Sequence, residues 1–487
     1  MGRKRKTDQR EATLKALALP TVCESDSRGM RPGPPGRAHT TGPRQALAVV
    51  LLCLVQSGYA LDLKESYEAA RARDPILASA IAAHTGGIET LAQAQAHLGA
   101  VVQASASAAY LDTHLTGLAP ASGATTQGAL TLDKPLYHRA DSIGVDEAQS
   151  QIAKLDAQLA NAQQDLVLRV AQAYFNTLLA QDLLEATHRE QESIAKQLEQ
   201  AHRAYQIGTV PITDVSDAKA RYDISAALEV QNRNDMDVAR RALEQLTGMQ
   251  AESLAGISVP AALHPPQPDD MAYWVSAAQA SNYQVVQALA NVDSQEKEVD
   301  RSRAGRYPTV DLVASVSKQN YSQTGLNVLG TGGKQAEIGI MVSVPIWDGG
   351  LRSSTIRQSV AGAEGARDDL QASRDAAAQS ARLYYTGVSS AIAQARALEQ
   401  AVASARISLE GSVRGQQVGT RTAVDVLNAR QQYFQIQRQL AAARYTAILE
   451  YLQLKAVAGM LSPRDLEGLT SAASSSALSP PEPIFPH

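Results

Sequence analysis

The chain contains the stretch IGTVPITDV at residues 207–215 and, about 211 residues later, the related stretch VGTRTAVDV at residues 418–426. The correspondence continues without a gap to Gly248-Met249 in the first stretch and Gly459-Met460 in the second. A repeat of this length indicates that one structural unit occurs twice. We therefore expect an internally duplicated protein, with one copy in residues 61–260 and the other in residues 261–470.

The first 60 residues are predicted to form an N-terminal extension followed by a signal peptide. Arg31, Arg37 and Arg44 precede the apolar run Ala46–Val55, and Gly58-Tyr59-Ala60 follows it. This order is typical of a secretory signal that is cleaved after Ala60. The apolar run is too short for a spanning helix. Translation is expected to start at Met1 or Met30.

Composition excludes several classes of function. Cys23 and Cys53 both precede the predicted cleavage site, so neither disulfide nor thiol chemistry is expected in the processed chain. The formal net charge is −4, and no basic patch with interleaved aromatic residues occurs, which argues against a nucleic-acid partner. The histidines lack metal-ligand spacing, and no catalytic constellation is found. We expect no enzyme activity, no metal and no cofactor.

Two segments in each copy alternate between apolar and polar residues, which is typical of β-strands. In the first copy they are residues 101–112 and 128–137, separated by a loop-like stretch rich in Gly, Ser and Thr. In the second copy they are residues 310–317 and 337–344. Strands of about ten residues match the length of a transmembrane strand. A soluble sandwich sheet is the alternative.

Each strand pair is followed by a long segment without proline, residues 138–206 and residues 348–417. Apolar residues recur every seven positions in both segments, which predicts helices packed in coiled-coil register. Gly208 and Gly419 suit the left-handed turn that ends a helix, and shorter helices are expected over 213–247 and 423–458. An ordinary solvated coiled coil is the alternative. The Ser- and Pro-rich residues 471–487 are predicted to be a disordered tail.

The predicted fold is mainly α with a membrane β-barrel portion. Four strands from one chain leave unpaired sheet edges, which a bilayer does not tolerate. Several chains must then share one barrel. A homotrimer would form a shared barrel of twelve strands above a long α-helical coiled-coil barrel.

These motifs resemble the TolC family of trimeric outer-membrane channel-tunnels. The resemblance covers residues 63–469. It is carried by Tyr67-Glu68-Ala69-Ala70 with Asp74-Pro75, by the segment Pro345–Gly350, and by residues 418–427. It implies a barrel in the outer membrane of a Gram-negative bacterium, with most of the chain in the periplasm. It also implies docking to an inner-membrane transporter through a periplasmic adaptor (membrane fusion) protein. Contact with outer-membrane lipid follows from the barrel.

The resemblance further implies that the helix turns form a gate at the periplasmic entrance. Carried over by position, Thr213 and Asp214 in one copy and Arg421 in the other would form links that hold the entrance closed. Asp425 would form a ring of carboxylates selective for cations. Asn428 replaces a second aspartate, so weaker block by multivalent cations is expected. Acidic residues in a first helical turn are the plainer interpretation of Asp214 and Asp425.

Four residues are expected at the junction between barrel and helices. Pro135 and Pro345 would end the strands, since proline cannot donate to the sheet ladder. Tyr137 and Trp347 would be interfacial aromatics or would pack in a core at the bend.

Three functions remain open from the sequence. The first is a type I secretion channel that works with an inner-membrane ABC transporter and exports a toxin-like protein, such as a haemolysin or an adenylate cyclase toxin. The second is the outer-membrane channel of a multidrug efflux pump. The third is a soluble periplasmic coiled-coil adaptor.

Overall fold

The computed structural model describes residues 61–113, 121–251, 253–256, 264–324 and 332–471. The predicted signal segment lies outside the described residues, as do residues 472–487 of the predicted tail. Ser471, where that tail was expected to begin, is the last residue of a short helix.

The first copy consists of two short helices, a strand pair, a very long helix and a shorter helix. In chain order these are α1 (Leu63–Arg73), α2 (Pro75–Ala96), β1 (Val101–Thr113), β2 (Ala121–Tyr137), α3 (Arg139–Gln206) and α4 (Ile212–Thr247). The second copy repeats this order with α5 (Met271–Ser281), α6 (Tyr283–Ala304), β3 (Thr309–Thr324), β4 (Gly332–Ser343), α7 (Leu351–Gln417) and α8 (Ala423–Val457). The chain adds α9 (Pro463–Ser471). The duplication predicted from the sequence is confirmed element by element.

The break between α1 and α2 has a clear cause in the sequence. The carboxylate of Asp74 accepts a hydrogen bond from the backbone N–H of Leu77 at 2.9 Å, while Pro75 occupies the first helical position. Proline is tolerated there because its missing N–H would have had no helical partner. In the second copy Asn282 performs the same capping for α6.

The four strands form one antiparallel sheet in the order β1-β2-β3-β4. Its register aligns apolar residues across all four strands on one face, in the row Val102, Leu132, Ala314 and Ile338. The adjacent row on the other face is polar and consists of Gln103, Thr131, Ser315 and Glu337. A sheet with one apolar and one polar face suits a barrel wall between lipid and water.

The strands extend further than the alternation predicted. β2 begins at Ala121, within the stretch that its Gly, Ser and Thr content assigns to a loop, and β3 runs to Thr324, beyond the alternating segment that ends at residue 317. These polar residues pair across the sheet, for example Ser122 with Thr324. Backbone pairing does not require apolar side chains, so the ladder continues beyond the alternating segment.

The helices α3 and α7 are unbroken over 68 and 67 residues. At 1.5 Å per residue each is about 100 Å long. The predicted seven-residue stripes are buried or half-buried along their whole length, including Leu166, Ala180, Ala363 and Leu370. In the part of the chain that the structure describes, no helix is long and apolar enough to cross a membrane.

The main core lies where the first copy's helices meet the non-helical segments of the chain. Tyr174 and Phe175 are fully buried there, with Tyr445 packed against Phe175. The hydroxyl of Tyr174 donates to the carbonyl oxygens of Leu61 and Ala255, at 3.0 and 2.8 Å. One buried tyrosine therefore fastens two irregular segments to α3.

The second copy has a related but more exposed arrangement. Tyr385 stands at the position equivalent to Tyr174, and its hydroxyl donates to the carboxylate of Asp269 at 2.7 Å. Trp274 fills the core beside it and donates its indole N–H to the carbonyl oxygen of Pro268 at 2.9 Å.

Candidate gate at the helical tip

Each long helix ends in a turn that contains a glycine with a left-handed backbone. Gly208 has a φ of 75° and Gly419 a φ of 80°. In both turns the threonine after the glycine folds back onto the helix. Thr209 donates to the carbonyl oxygen of Ala204 through its N–H and its hydroxyl, and Thr420 does the same to Gly415. The predicted Gly-Thr turns are therefore helix C-caps built in the same way in both copies.

The helices that follow these turns begin differently. α8 begins with a capping box, in which Thr422 Oγ1 accepts from the N–H of Asp425 at 3.2 Å and Asp425 Oδ2 accepts from the N–H of Thr422 at 2.9 Å. α4 follows Pro211, which has no side chain able to cap it. Thr213 and Asp214 lie in its first turn.

Asp425 is held as a carboxylate. Hydrogen bonds from the N–H and hydroxyl of Thr422 lower its pKa, with a smaller contribution from the nearby Arg421. The plainer interpretation, an acid that caps its own helix, is thus observed. Only Oδ2 takes part in these bonds.

The predicted lock is not formed within one chain. Among the described residues, no side-chain hydrogen bond or ion pair joins Arg421 to Thr213 or Asp214. The proposed role of these three residues in holding the entrance closed stays a prediction.

A different link, which the sequence analysis does not predict, joins the two hairpins. Arg221 on α4 donates from Nη2 to Asn428 Oδ1 at 2.6 Å and from Nη1 to Gln431 Oε1 at 2.5 Å, both on α8. We call this pair of hydrogen bonds the Arg221 fork. The only available signal was an arginine where the second copy has Gln432.

The hairpins also contact each other above the tip. Ala218 of α4 and Leu427 of α8 belong to one small apolar cluster with Ile194 of α3. Higher up, the half-buried Arg438 of α8 pairs with the buried Glu190 of α3. The tip is therefore part of a continuous contact between the α3–α4 and α7–α8 hairpins.

The predicted junction residues lie at or near the ends of β2 and β4. Tyr137 is the last residue of β2, and Trp347 lies between β4 and α7. Their side chains are 46 % and 86 % exposed in the single chain, so neither packs in a core at a bend within it. Pro345 follows the end of β4.

Pro135 does not end its strand. β2 continues to Tyr137, and the register shifts between Pro135 and Tyr137. The proline is accommodated by this irregularity rather than by termination of the strand. Next to it, His138 lies 2.8 Å from the carboxylates of both Asp141 and Asp311, which joins α3 to β3.

The described residues contain no cluster of His, Cys, Asp and Glu that could hold a metal ion. The geometry at the tip consists of turns, caps and links between helices.

Comparison with known proteins identifies the family. Residues 66–249 and 274–460 match the sequence profile of the outer membrane efflux proteins. The chain belongs to this family. It is 30 % identical to the outer membrane protein TolC of Escherichia coli over 90 % of this chain and 92 % of TolC. It is 28 % identical to the alkaline protease secretion protein AprF of Pseudomonas aeruginosa, over 86 % of this chain and 88 % of AprF.

The fold is shared with solved channels. The outer membrane protein VceC of Vibrio cholerae superposes with a TM-score of 0.69 at 20 % identity, covering 82 % of this chain and 96 % of VceC. The family match and the TolC relative show that this chain is an outer-membrane channel for efflux or secretion, and not an enzyme. The predicted resemblance to TolC and the outer-membrane localisation are confirmed. The third interpretation, a soluble adaptor, loses its basis.

Proposed function

We propose that three copies of this chain form a duct that exports a toxin-like protein in a type I secretion system. An inner-membrane ABC transporter would supply the energy, and a periplasmic adaptor protein would connect it to the helical tip. The observation that carries this proposal is the similarity to AprF, a protein named for secretion of a protease, over 86 % of the chain.

The open sheet supports assembly into a closed ring. Among the described residues, β1 and β4 each pair with a single strand, so each leaves one edge of the sheet without a partner strand. In a bilayer those backbone groups find no water to bond, which makes an open edge costly. Three sheets joined edge to edge leave none, and they align the apolar rows of all twelve strands towards lipid.

The tip residues would then act as the gate. Thr213, Asp214 and Arg421 are proposed to link neighbouring helices, with the Arg221 fork holding the hairpins of each chain together. Asp425 would contribute one carboxylate per chain to the pore entrance. Exposed links of this kind are weak, about 1 kcal/mol or less each, so docking of a partner is sufficient to break them.

Small-molecule efflux is the second candidate, because the matching family is described as outer membrane efflux proteins. Protein export and small-molecule efflux are distinguished by deleting the gene in its host and complementing the deletion with the wild-type gene or with an empty vector. Export predicts that a specific protein disappears from the culture supernatant and returns on complementation, with drug susceptibility unchanged. An unchanged supernatant with increased susceptibility to small toxic compounds would establish efflux instead.

A further inference from the structure

A polar groove of about 510 Å³ lies between the two hairpins, above the turns. One wall is the segment of α3 that includes Arg189, Lys196 and Gln197, and the other is the end of α7 with Gln416. Arg430 of α8 also lines the groove. The groove is thus formed by three helices of one chain and is distinct from the turns and the Arg221 fork.

Arg430 is buried without a counter-charge. The residue is only 7 % exposed to solvent, and its Nη1 donates a hydrogen bond to the carbonyl oxygen of Ser193. Nε is buried and has no hydrogen-bond partner, and no carboxylate in the described ranges lies within ion-pair distance of the guanidinium. Burial alone lowers the pKa of Arg430, with no acidic group acting against it.

Comparison with Arg438, two turns further along α8, shows that this is unusual for the chain. Arg438 is also largely buried at the contact with α3, but it pairs with the carboxylate of Glu190. A buried charge is normally paired with an opposite charge or satisfied by hydrogen bonds, because removing it from water is costly. Arg430 has the burial without the paired acid.

The lining of the groove has an excess of positive charge. Arg189, Lys196 and Arg430 contribute three cations, and Glu192 is the single acid among the lining residues. The ion-pair partner of Arg189 is Glu185, which does not line the groove. The remaining positions include glutamines, whose amide groups can donate hydrogen bonds.

We propose that this groove binds an oxyanion of the carboxylate or phosphate type, with Arg430 as its main ligand and Lys196 completing its neutralisation. Guanidinium groups bind such anions through paired, charge-assisted hydrogen bonds. The oxyanion comes either from solution or from an acidic side chain of a neighbouring copy. Its binding joins α3 to α8 from the groove side, so an occupied site favours the packed arrangement of the hairpins. The inference does not depend on which cargo the duct exports.

Selenate tests the site directly, because selenium scatters anomalously. Crystals of the purified assembly soaked in selenate are expected to give an anomalous peak at the guanidinium of Arg430. A carboxylate from a neighbouring chain at the same position would support the proposal with the protein as the source. An Arg430 guanidinium with neither group beside it would overturn it.

A solution measurement complements the crystal. If the anion is free, inorganic phosphate at constant ionic strength raises the dissociation temperature of the wild-type assembly saturably, and Arg430→Gln abolishes the rise while Arg430→Lys retains part of it. The control Arg233→Gln removes an exposed arginine of α4 that pairs with Glu229 and keeps the full rise. If a neighbouring carboxylate occupies the site, phosphate has no effect, whereas Arg430→Gln lowers the dissociation temperature more than Arg233→Gln does. Equal behaviour of Arg430→Gln and Arg233→Gln in both measurements would contradict the proposal.

Discussion

Arg221 Nη2 lies 2.6 Å from Asn428 Oδ1, and this hydrogen bond joins the α3–α4 hairpin to the α7–α8 hairpin near their tips. The second branch of the fork reaches Gln431 on the same helix. Any movement that separates α4 from α8 must break both bonds.

Replacement of Arg221 by glutamine, the residue at the equivalent position of the second copy, is expected to loosen the closed tip. Loss of roughly 1 kcal/mol per chain corresponds to about a fivefold change in the ratio of closed to open states. The measurement is single-channel conductance and open probability in planar bilayers. Arg233→Gln on the same helix is the control, since its ion pair with Glu229 stays within α4. Identical open probabilities for the two variants would show that the fork plays no part in closure.

The acidic groups at the tip are expected to control block by trivalent cations. Asp425→Asn should abolish block, because it removes the proposed single ring. Asn428→Asp should add a second ring, but Arg221 lies against that position and would partly neutralise it. The double variant Asn428→Asp with Arg221→Gln should therefore be blocked by a trivalent cation at a concentration about tenfold lower than that needed for the wild-type channel. This assignment would be contradicted if Asn428→Ala lost the block while Asp425→Ala kept it.

The pH dependence of that block follows from the Thr422–Asp425 capping box. Hydrogen bonds from Thr422 lower the folded-state pKa of Asp425 below its ordinary value of 3.8. The carboxylate is therefore charged at neutral pH, and both its charge and its contribution to the cap are lost as the pH falls through the lowered pKa. Block is expected to persist at pH 5 and to disappear only below about pH 4.

Thr422→Val removes the hydroxyl but keeps the backbone N–H, so the midpoint of this loss should move to higher pH. Thr209→Val, in the equivalent turn that has no carboxylate partner, is the control. A midpoint that is the same in both variants would rule out the hydroxyl as a cause of the lowered pKa.

Tyr174→Phe is expected to destabilise the assembly more than Tyr385→Phe, although the two residues are equivalent in the repeat. The Tyr174 hydroxyl is buried and serves two carbonyl oxygens, which would lose a partner at a cost of about 1–3 kcal/mol. Tyr385 donates to an exposed carboxylate that water can solvate instead. The temperature at which the assembly dissociates in detergent measures the difference. Equal shifts would mean that the two hydroxyls contribute alike.

Much of this fold could be predicted from the sequence because it depends on local periodicity. The seven-residue stripes that include Leu166 in α3 and Leu370 in α7 predicted two long helices, which the structure shows. The alternation around Leu132 and Ile338 predicted the sheet. The predicted strand boundaries were less accurate where the amino-acid composition is typical of loops. Ser122 and Thr324 occur in stretches typical of loops, yet the strands pair there because neighbouring strands extend the ladder.

The links at the tip could not be predicted in the same way. The Arg221 fork joins residues far apart in the sequence, and it depends on how α4 and α8 are rotated about their axes. Buried, unpaired Arg430 is likewise a product of three helices meeting, and its position on α8 has no distinguishing pattern. The assignments of Thr213, Asp214 and Arg421 came from resemblance alone.

The unequal starts of α4 and α8 bear on symmetry. A ring of three chains has six nearly equivalent hairpins along its shaft, because the two copies have the same fold. At the turns, the hairpins alternate between two kinds. In one the second helix follows Pro211, and in the other the second helix is capped by Thr422 and Asp425. A protein that binds along the long helices α3 and α7 would therefore find six similar positions. A protein that recognises the starts of α4 or α8 would find only three.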